Sequence, residues 1–241
     1  MARNFWKIVN EVIRNSDIIV EVLDARFPKI SRNEEIENKI KKNGKKIIYV
    51  LNKTDLAKRV NKIEVSPLIL ISSTKRQGLR ELRTRIQIEA KRLKKENVTV
   101  GVLGYPNTGK SSLINALKGR KAAPTSSISG FTKALMKVRI TRGILMIDTP
   151  GVFPFSEDDE VKNTLLGAKN PSNIEFPEDA AEVIIDSFSD EISEYYNCSA
   201  DLESLAERLG KKKKGGELDL KATSVKLLHD WQNGKIKILS N

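Results

Sequence analysis

One cysteine and one histidine in 241 residues leave little soft-donor chemistry. Cys198 has no second cysteine to pair with, so an intrachain disulfide is excluded, and with only His229 beside it a zinc site built from Cys and His is out of reach. Any metal is expected to come with a ligand. Long hydrophobic runs are also lacking. Nothing approaches the roughly 20 apolar residues of a membrane span, and Met1 to Lys7 shows no apolar stretch of a secretion signal. The expectation is a cytoplasmic chain with no membrane partner. Negative charge is scarce too: 43 Lys and Arg face 31 Asp and Glu, a formal +12 with a pI near 9.6.

What is there begins with that imbalance. Excess positive charge attracts polyanions by counterion release, which makes nucleic acid the first candidate partner. A heat-adapted surface is also rich in Lys and Glu, but its ion-pair networks balance the two signs and this chain does not. The charge is in blocks. Fourteen acidic residues lie between Ser156 and Glu203 against Lys162 and Lys169, whereas nine basic residues lie between Lys75 and Lys95 against Glu81 and Glu89. Separate surfaces are implied. With 39% hydrophobic residues, the length suits one large domain or a domain with an appendage.

Asp17 to Leu23, Lys46 to Leu51, Leu68 to Ile71 and Val98 to Leu103 are β-branched runs too short for helices, and read as buried parallel strands. Helical stretches at Asn33 to Lys42 and Leu79 to Lys95 alternate with them, which predicts an α/β sheet. Ala134 to Ile140 and Gly143 to Ile147 flank a turn and predict a hairpin, giving six strands by residue 148. Beyond Asp159 the apolar spacing turns helical in Ala180 to Phe188, Leu202 to Leu209 and Ser224 to Trp231, with a basic, flexible joint at Lys211 to Lys214 and Gly215-Gly216. The expected division is a domain over 1–160 and a small helical domain over 161–241.

Gly104, four residues, then Gly109-Lys110-Ser111 follow a predicted strand and open a predicted helix, the context of a phosphate-binding loop. Asn107, Thr108, Gly109, Lys110, Ser111 and Ser112 are the candidate phosphate contacts. Glycines let backbone N–H groups close on a β-phosphate, Lys110 neutralises β and γ oxygens, and Ser111 is a Mg²⁺ ligand. Asp148-Thr149-Pro150-Gly151 ends the hairpin, offering Asp148 as a Mg²⁺ carboxylate and the Gly151 N–H to a γ-phosphate. In the polar stretch Pro124 to Lys133, Thr132 is the favoured threonine to complete Mg²⁺ coordination and sense the γ-phosphate, with Thr125 the alternative. Lys110, Thr132 and Gly151 are thus the candidate catalytic residues.

Asn52-Lys53-Thr54-Asp55 also ends a strand, where the Asp55 carboxylate can accept from guanine's ring N–H and exocyclic amine, a pair adenine cannot make. Ser72-Ser73-Thr74, at the end of the next strand, offers small residues and backbone donors to the carbonyl edge of the base. The order is inverted: the guanine-reading tetrad precedes the phosphate loop, which marks a circularly permuted GTPase.

These residues in this order resemble the circularly permuted GTPases of the YlqF/YawG family, within the TRAFAC class. The resemblance extends to Asp24-Ala25-Arg26-Phe27-Pro28 with Ser31-Arg32-Asn33, and to Leu227-Leu228-His229-Asp230-Trp231-Gln232-Asn233-Gly234-Lys235, which is similar to that family's C-terminal RNA-contacting helix. It implies a permuted Ras-like P-loop domain followed by a helical domain, GTP or GDP with Mg²⁺, and a nucleotide switch in large ribosomal subunit assembly. The implied partners are ribosomal RNA or a subunit precursor, with ribosomal proteins as further candidates, for a monomeric chain. Asn107 matches the loop asparagine that helps hold potassium in potassium-stimulated relatives. Val152 stands where Ras-type enzymes carry the water-orienting glutamine, and the N-terminus lacks the histidine motif of some bacterial relatives. Slow intrinsic turnover, raised by ribosomal particles or potassium, is expected.

Two aromatics are ambiguous. Trp231 suits base stacking and a helix core stripe equally, whereas Trp6 with Phe5, Ile8, Val9 and Val12 reads as the packing face of a first helix. A rival reading makes the chain a nucleotide-gated module that docks a protein through acidic residues 156–203, with hydrolysis incidental.

Overall fold

The computed structural model describes residues 2–61, 63–118, 136–148 and 160–239. Two compact units are present, Met1–Asp55 with Val60–Ser156 and Ser240–Asn241, and Leu56–Arg59 with Glu157–Leu239.

The first unit is built on the β-branched runs. Ile18–Asp24 forms β1, buried at all seven positions, as a parallel strand covered on both faces requires. Lys46–Asn52 forms β2, Leu68–Leu70 the short edge strand, Val98–Leu103 the strand before the glycine loop, and Met136–Thr141 with Ile144–Asp148 the hairpin. In chain order, counting Ala57–Arg59 as β3, these are β4 to β7. The main sheet runs β4-β2-β1-β5-β7-β6, with every neighbour parallel except the β6–β7 hairpin. Its six strands are the six expected by residue 148.

Helices cover both faces. Helix α1 (Ala2–Asn15) and α2 (Glu34–Lys42) bury Val9, Val12, Ile13, Ile36 and Ile40 against Ile19, Leu103 and Ile147. Helices α3 (Leu79–Arg92) and α4 (Lys110–Lys118) bury Leu82, Ile86, Leu113 and Leu117 against Ile18, Val20 and Val22, the alternate positions of β1. Trp6 packs on the α1 cluster with the Lys39 ammonium 3.6 Å from its ring centroid. α2 is capped by Asn33, whose Oδ1 accepts from Ile36 N at 3.0 Å, and its acidic first turn and basic last turn complement the helix dipole.

The second unit is helical: α5 (Glu160–Leu165), α6 (Pro177–Ser187), α7 (Ser189–Tyr196), α8 (Leu202–Leu209) and α9 (Leu220–Gln232). Leu227, Leu228 and Trp231 of α9 are buried, and Trp231 lies 4.8 Å, centroid to centroid, from Phe188. Ile238–Leu239 (β8) pairs in parallel with β3, the segment that follows Asp55. That pairing joins the segment after Asp55 to the C-terminal end of the described chain and is not predicted by the sequence.

Candidate functional site

Parallel sheets present their chemistry at the carboxyl ends of the strands. Here β2 and β5 flank β1, so Asn52, Asp24 and the loop after Leu103 emerge side by side although the motifs are inverted along the chain.

Asn52 is the joint. Its Nδ2 donates to the carbonyls of Thr108 at 2.9 Å and Gly109 at 3.4 Å, while its Oδ1 accepts from Ser73 N at 3.1 Å and Ser73 Oγ at 2.8 Å. One side chain, 1% exposed, thus ties the tetrad to the glycine loop and to the 72–74 turn. Gly109 has φ +89, and a Cβ there would come within 2.3 Å of Asn52 Nδ2. Gly104 has φ +145, and a Cβ there would meet the Val22 carbonyl at 2.2 Å. Both positions therefore require glycine, for conformation and for close approach.

Asp55 is held from beside it. Ser72 Oγ donates to its Oδ1 at 2.6 Å and Thr74 Oγ1 to its Oδ2 at 3.0 Å. The two hydroxyls fix the orientation of the Asp55 carboxylate, a contribution that the small size of these residues did not reveal in the sequence.

Lys53 takes up a left-handed backbone, φ 65, and its Nζ donates to Asp24 Oδ2 at 2.9 Å. The Arg26 guanidinium holds the same carboxylate through Nε at 3.0 Å and Nη2 at 2.8 Å. Burial alone would raise the Asp24 carboxyl, but Arg26 and Lys53 hold it well below the usual carboxylate range. Burial lowers the Lys53 ammonium, with Asp24 opposing the shift. Asp24 and Arg26 entered the sequence reading through a resemblance alone. The local signal was an aspartate at the end of a buried strand, in register with Asn52.

In the glycine loop, Lys110 is buried and its Nζ donates to the carbonyls of Gly104 at 2.8 Å and Tyr105 at 2.6 Å. Thr108 is buried with Oγ1 on Tyr105 O at 2.9 Å, and Asn107 is exposed at φ 56. Ser111 and Ser112 are exposed on the first turn of α4, which carries no acidic residue to compete for an anion. A loop with two obligatory glycines, a buried lysine and a free-facing serine at a helix start fits a nucleotide's phosphates and the Mg²⁺ that accompanies them. Thr132 and Gly151, like Thr125 and Val152, lie outside the described residues, and Asp148 is described only as the last backbone position of β7. Among the described residues no group of three or more His, Cys, Asp or Glu could hold a metal by itself.

In the helical unit the ambiguity over Trp231 is resolved. It is fully buried, and its Nε1 donates to the Leu165 carbonyl at 3.0 Å, which assigns it to the core. Beside it Asp230 is buried against Tyr196 Oη at 2.9 Å, Lys235 Nζ at 2.8 Å and Lys226 Nζ. Burial would raise its carboxyl, but Lys226, Lys235 and Tyr196 lower it. Lys212 to Lys214 stay exposed on a turn closed by Lys212–Leu218 pairing, with open space around Gly215 and Gly216. Burial pushes the Cys198 thiol up, which suits a small apolar residue and not a nucleophile.

Residues 99–215 match the family model described as 50S ribosome-binding GTPase. An uncharacterized GTP-binding protein of Methanocaldococcus jannaschii is 39% identical over 95% of this chain and 65% of its own length. Nucleolar GTP-binding protein 2 of Saccharomyces cerevisiae is 32% identical over 98% of this chain and 52% of its own length. The chain spans between about half and two thirds of the curated relatives it matches. Among solved structures, GNP-bound YlqF from T. maritima superposes with a TM-score of 0.64 at 23% identity, over 96% of this chain and 94% of that one. The GDP-bound form of YlqF does so with 0.61 at 25% identity, over 97% of each.

Proposed function

We propose that this chain is a circularly permuted GTPase related to YlqF that binds GTP, hydrolyses it to GDP and phosphate, and acts as a nucleotide switch in large ribosomal subunit assembly. The observation that carries this reading is Asn52 bonded at once to the phosphate-type loop and to the turn beside Asp55. Base and phosphates of one nucleotide are thereby offered a single site. Asp55 reads guanine's two donors, so adenine leaves it unpaired. The backbone of the loop through Gly109 surrounds the β-phosphate, and Lys110 leaves its carbonyl partners to meet β and γ oxygens. Ser111, with Thr132 and Asp148, would hold Mg²⁺, which when bound spreads the charge that develops on the β- and γ-phosphates. Gly151 contacts the γ-phosphate. With Val152 in place of a glutamine, intrinsic turnover is slow, and a ribosomal particle or a potassium ion held by Asn107 supplies the stimulation.

Coupling to the helical unit has support in the chain path. Leu56, the residue after Asp55, already belongs to that unit, where Leu56 packs on Gly234, Ala57 pairs with Ile238, and Lys58 meets Glu194 at 2.5 Å. The helical unit contacts RNA through the Lys211 to Lys214 turn, of which Lys212 to Lys214 are exposed, in keeping with a net charge of +12, a family model named for 50S ribosome binding and a relative named for the nucleolus.

A second reading has its own observation. α6 and α7 carry Glu178, Asp179, Glu182, Asp186, Asp190 and Glu191 beside Phe176, 63% exposed, a surface that suits a basic protein and repels RNA. The two readings part in a hydrolysis assay in sodium and potassium buffers, with and without large-subunit precursor particles, using Lys110→Ala as blank. Strong stimulation by particles supports the switch. Hydrolysis indifferent to particles shifts the reading to the protein-docking module.

A further inference from the structure

The GTPase unit carries a second cationic pocket at the opposite end of β2 from Asn52. Strand β4 starts only opposite Tyr49, so Lys46 to Ile48 have no strand on that side, and the gap opens into a pocket of about 350 Å³. Lys41, Lys45, Lys46, Arg85 and Arg92 line it with a single carboxylate, Glu89. Glu89 is 2% exposed, and its Oε1 takes both guanidinium groups, Arg85 at 2.6 Å and Arg92 at 3.0 Å. Its Oε2 has no hydrogen-bond partner. Lys41 also lies 3.8 Å from Glu37, so five cations face two carboxylates and the pocket keeps a net positive charge, with buried Glu89 holding both arginines while offsetting one charge.

We propose that this pocket is an RNA-backbone site of the GTPase unit, separate from the nucleotide site and from the Lys211 to Lys214 turn. Convergent Lys and Arg side chains recognise phosphates. A nucleic-acid backbone brings several phosphates at close spacing, the chemistry that a cluster of lysine and arginine side chains around a sealed carboxylate fits. A strand of seven residues separates Lys46 from Asn52, roughly 20 Å at the usual rise, so RNA held here does not obstruct the nucleotide. The inference rests on the proposed ribosomal role, because it needs an RNA partner.

The test measures binding of the full chain to a transcript of large-subunit ribosomal RNA across a salt series, for wild type, for Lys45→Ala/Lys46→Ala/Arg92→Ala, and for Lys46→Glu alone, whose side chain is exposed. GTP affinity and thermal midpoint are measured on the same samples. The triple variant is expected to bind at least about tenfold more weakly, with a log-affinity against log-salt slope shallower by about 3 and GTP affinity unchanged. Lys46→Glu is expected to weaken binding in the same direction. RNA affinity within twofold of wild type in both variants, while wild type binds, overturns the pocket and leaves the ribosomal reading standing. A wild type that binds no ribosomal RNA removes that reading as well. Loss of binding to anionic vesicles or to an acidic protein, with RNA binding intact, also overturns the proposal.

Discussion

Asn52 donates from Nδ2 to the backbone carbonyl of Thr108 at 2.9 Å, across 56 residues of chain. The amide lies on the end of a strand that precedes the phosphate loop in sequence and stands beside it in space. Asn52→Ala leaves the buried Thr108 carbonyl, the part-buried Gly109 carbonyl and the Ser73 hydroxyl without their partner. A buried group left unsatisfied costs about 1 to 3 kcal/mol, so guanine nucleotide affinity should fall by roughly 10- to 100-fold. Calorimetric titration with GDP checks this, and chemical denaturation separates it from loss of stability.

Asp24 pairs with two cations, Arg26 and Lys53, of which Arg26 is 1% exposed. Asp24→Asn leaves both uncompensated in a buried setting, which costs about 3 to 5 kcal/mol. A lower unfolding midpoint in urea is expected, together with weaker nucleotide binding, since Lys53 loses its anchor. Arg26→Met removes one cation with the acid still paired to Lys53 and is expected to be milder.

Trp231 fills the core of the helical unit, and the lysine turn is its proposed RNA contact. Trp231→Ala empties a core site and is expected to destabilise by about 3 to 5 kcal/mol, while Trp231→Phe keeps RNA affinity in the folded protein. Neutralising Lys211 to Lys214 is expected to do the reverse, leaving the melting temperature in place and weakening RNA binding with a shallower salt dependence. A Trp231→Phe variant that folds normally and loses RNA affinity contradicts the core assignment.

Glu21 sits in the middle of β1, 1% exposed, with Oε2 unpartnered and Oε1 accepting from Asn33 N at 3.3 Å. Burial, and then the charge of Glu37, pushes its carboxyl from 4.5 up to about 8. A carboxyl raised on folding contributes stability that is fully present below pH 4.5 and is lost as pH rises through about 8. The slope approaches about 1.4 kcal/mol per pH unit within that window. Glu21→Gln should flatten the dependence and gain on wild type at the alkaline end. Asp24 and Asp230, both lowered, act oppositely in acid, where their stability is lost as pH falls through their folded pKa.

Much of this was legible in the sequence because it is local. Ile18 to Leu23 and Lys46 to Leu51 are β-branched runs that end in polar motifs, and a buried parallel strand leaves little else for such a run to be. Spacing also marked the Gly104 to Ser111 loop between a strand and a helix. What escaped was long-range. Ala57-Lys58-Arg59 carries no apolar alternation, so its pairing with Ile238–Leu239 had no local signal. The hydroxyls of Ser72 and Thr74 read as small and polar, and their grip on Asp55 depends on how two strand ends meet. Trp231 was undecidable from its spacing because a stacking face and a core stripe share the period of a helix.

Asn52 to Asp55, Ser72 to Thr74 and Gly104 to Ser111 are proposed to form one guanine-nucleotide site despite their inverted order. The most direct test is calorimetric titration of GTP and ATP, with Mg²⁺, into wild type and Asp55→Asn. Wild type is expected to prefer GTP by a factor on the order of 100 or more, and the variant to lose most of that preference with ATP binding little changed. Equal affinity for both nucleotides in wild type, or an unchanged preference in the variant, would contradict the account.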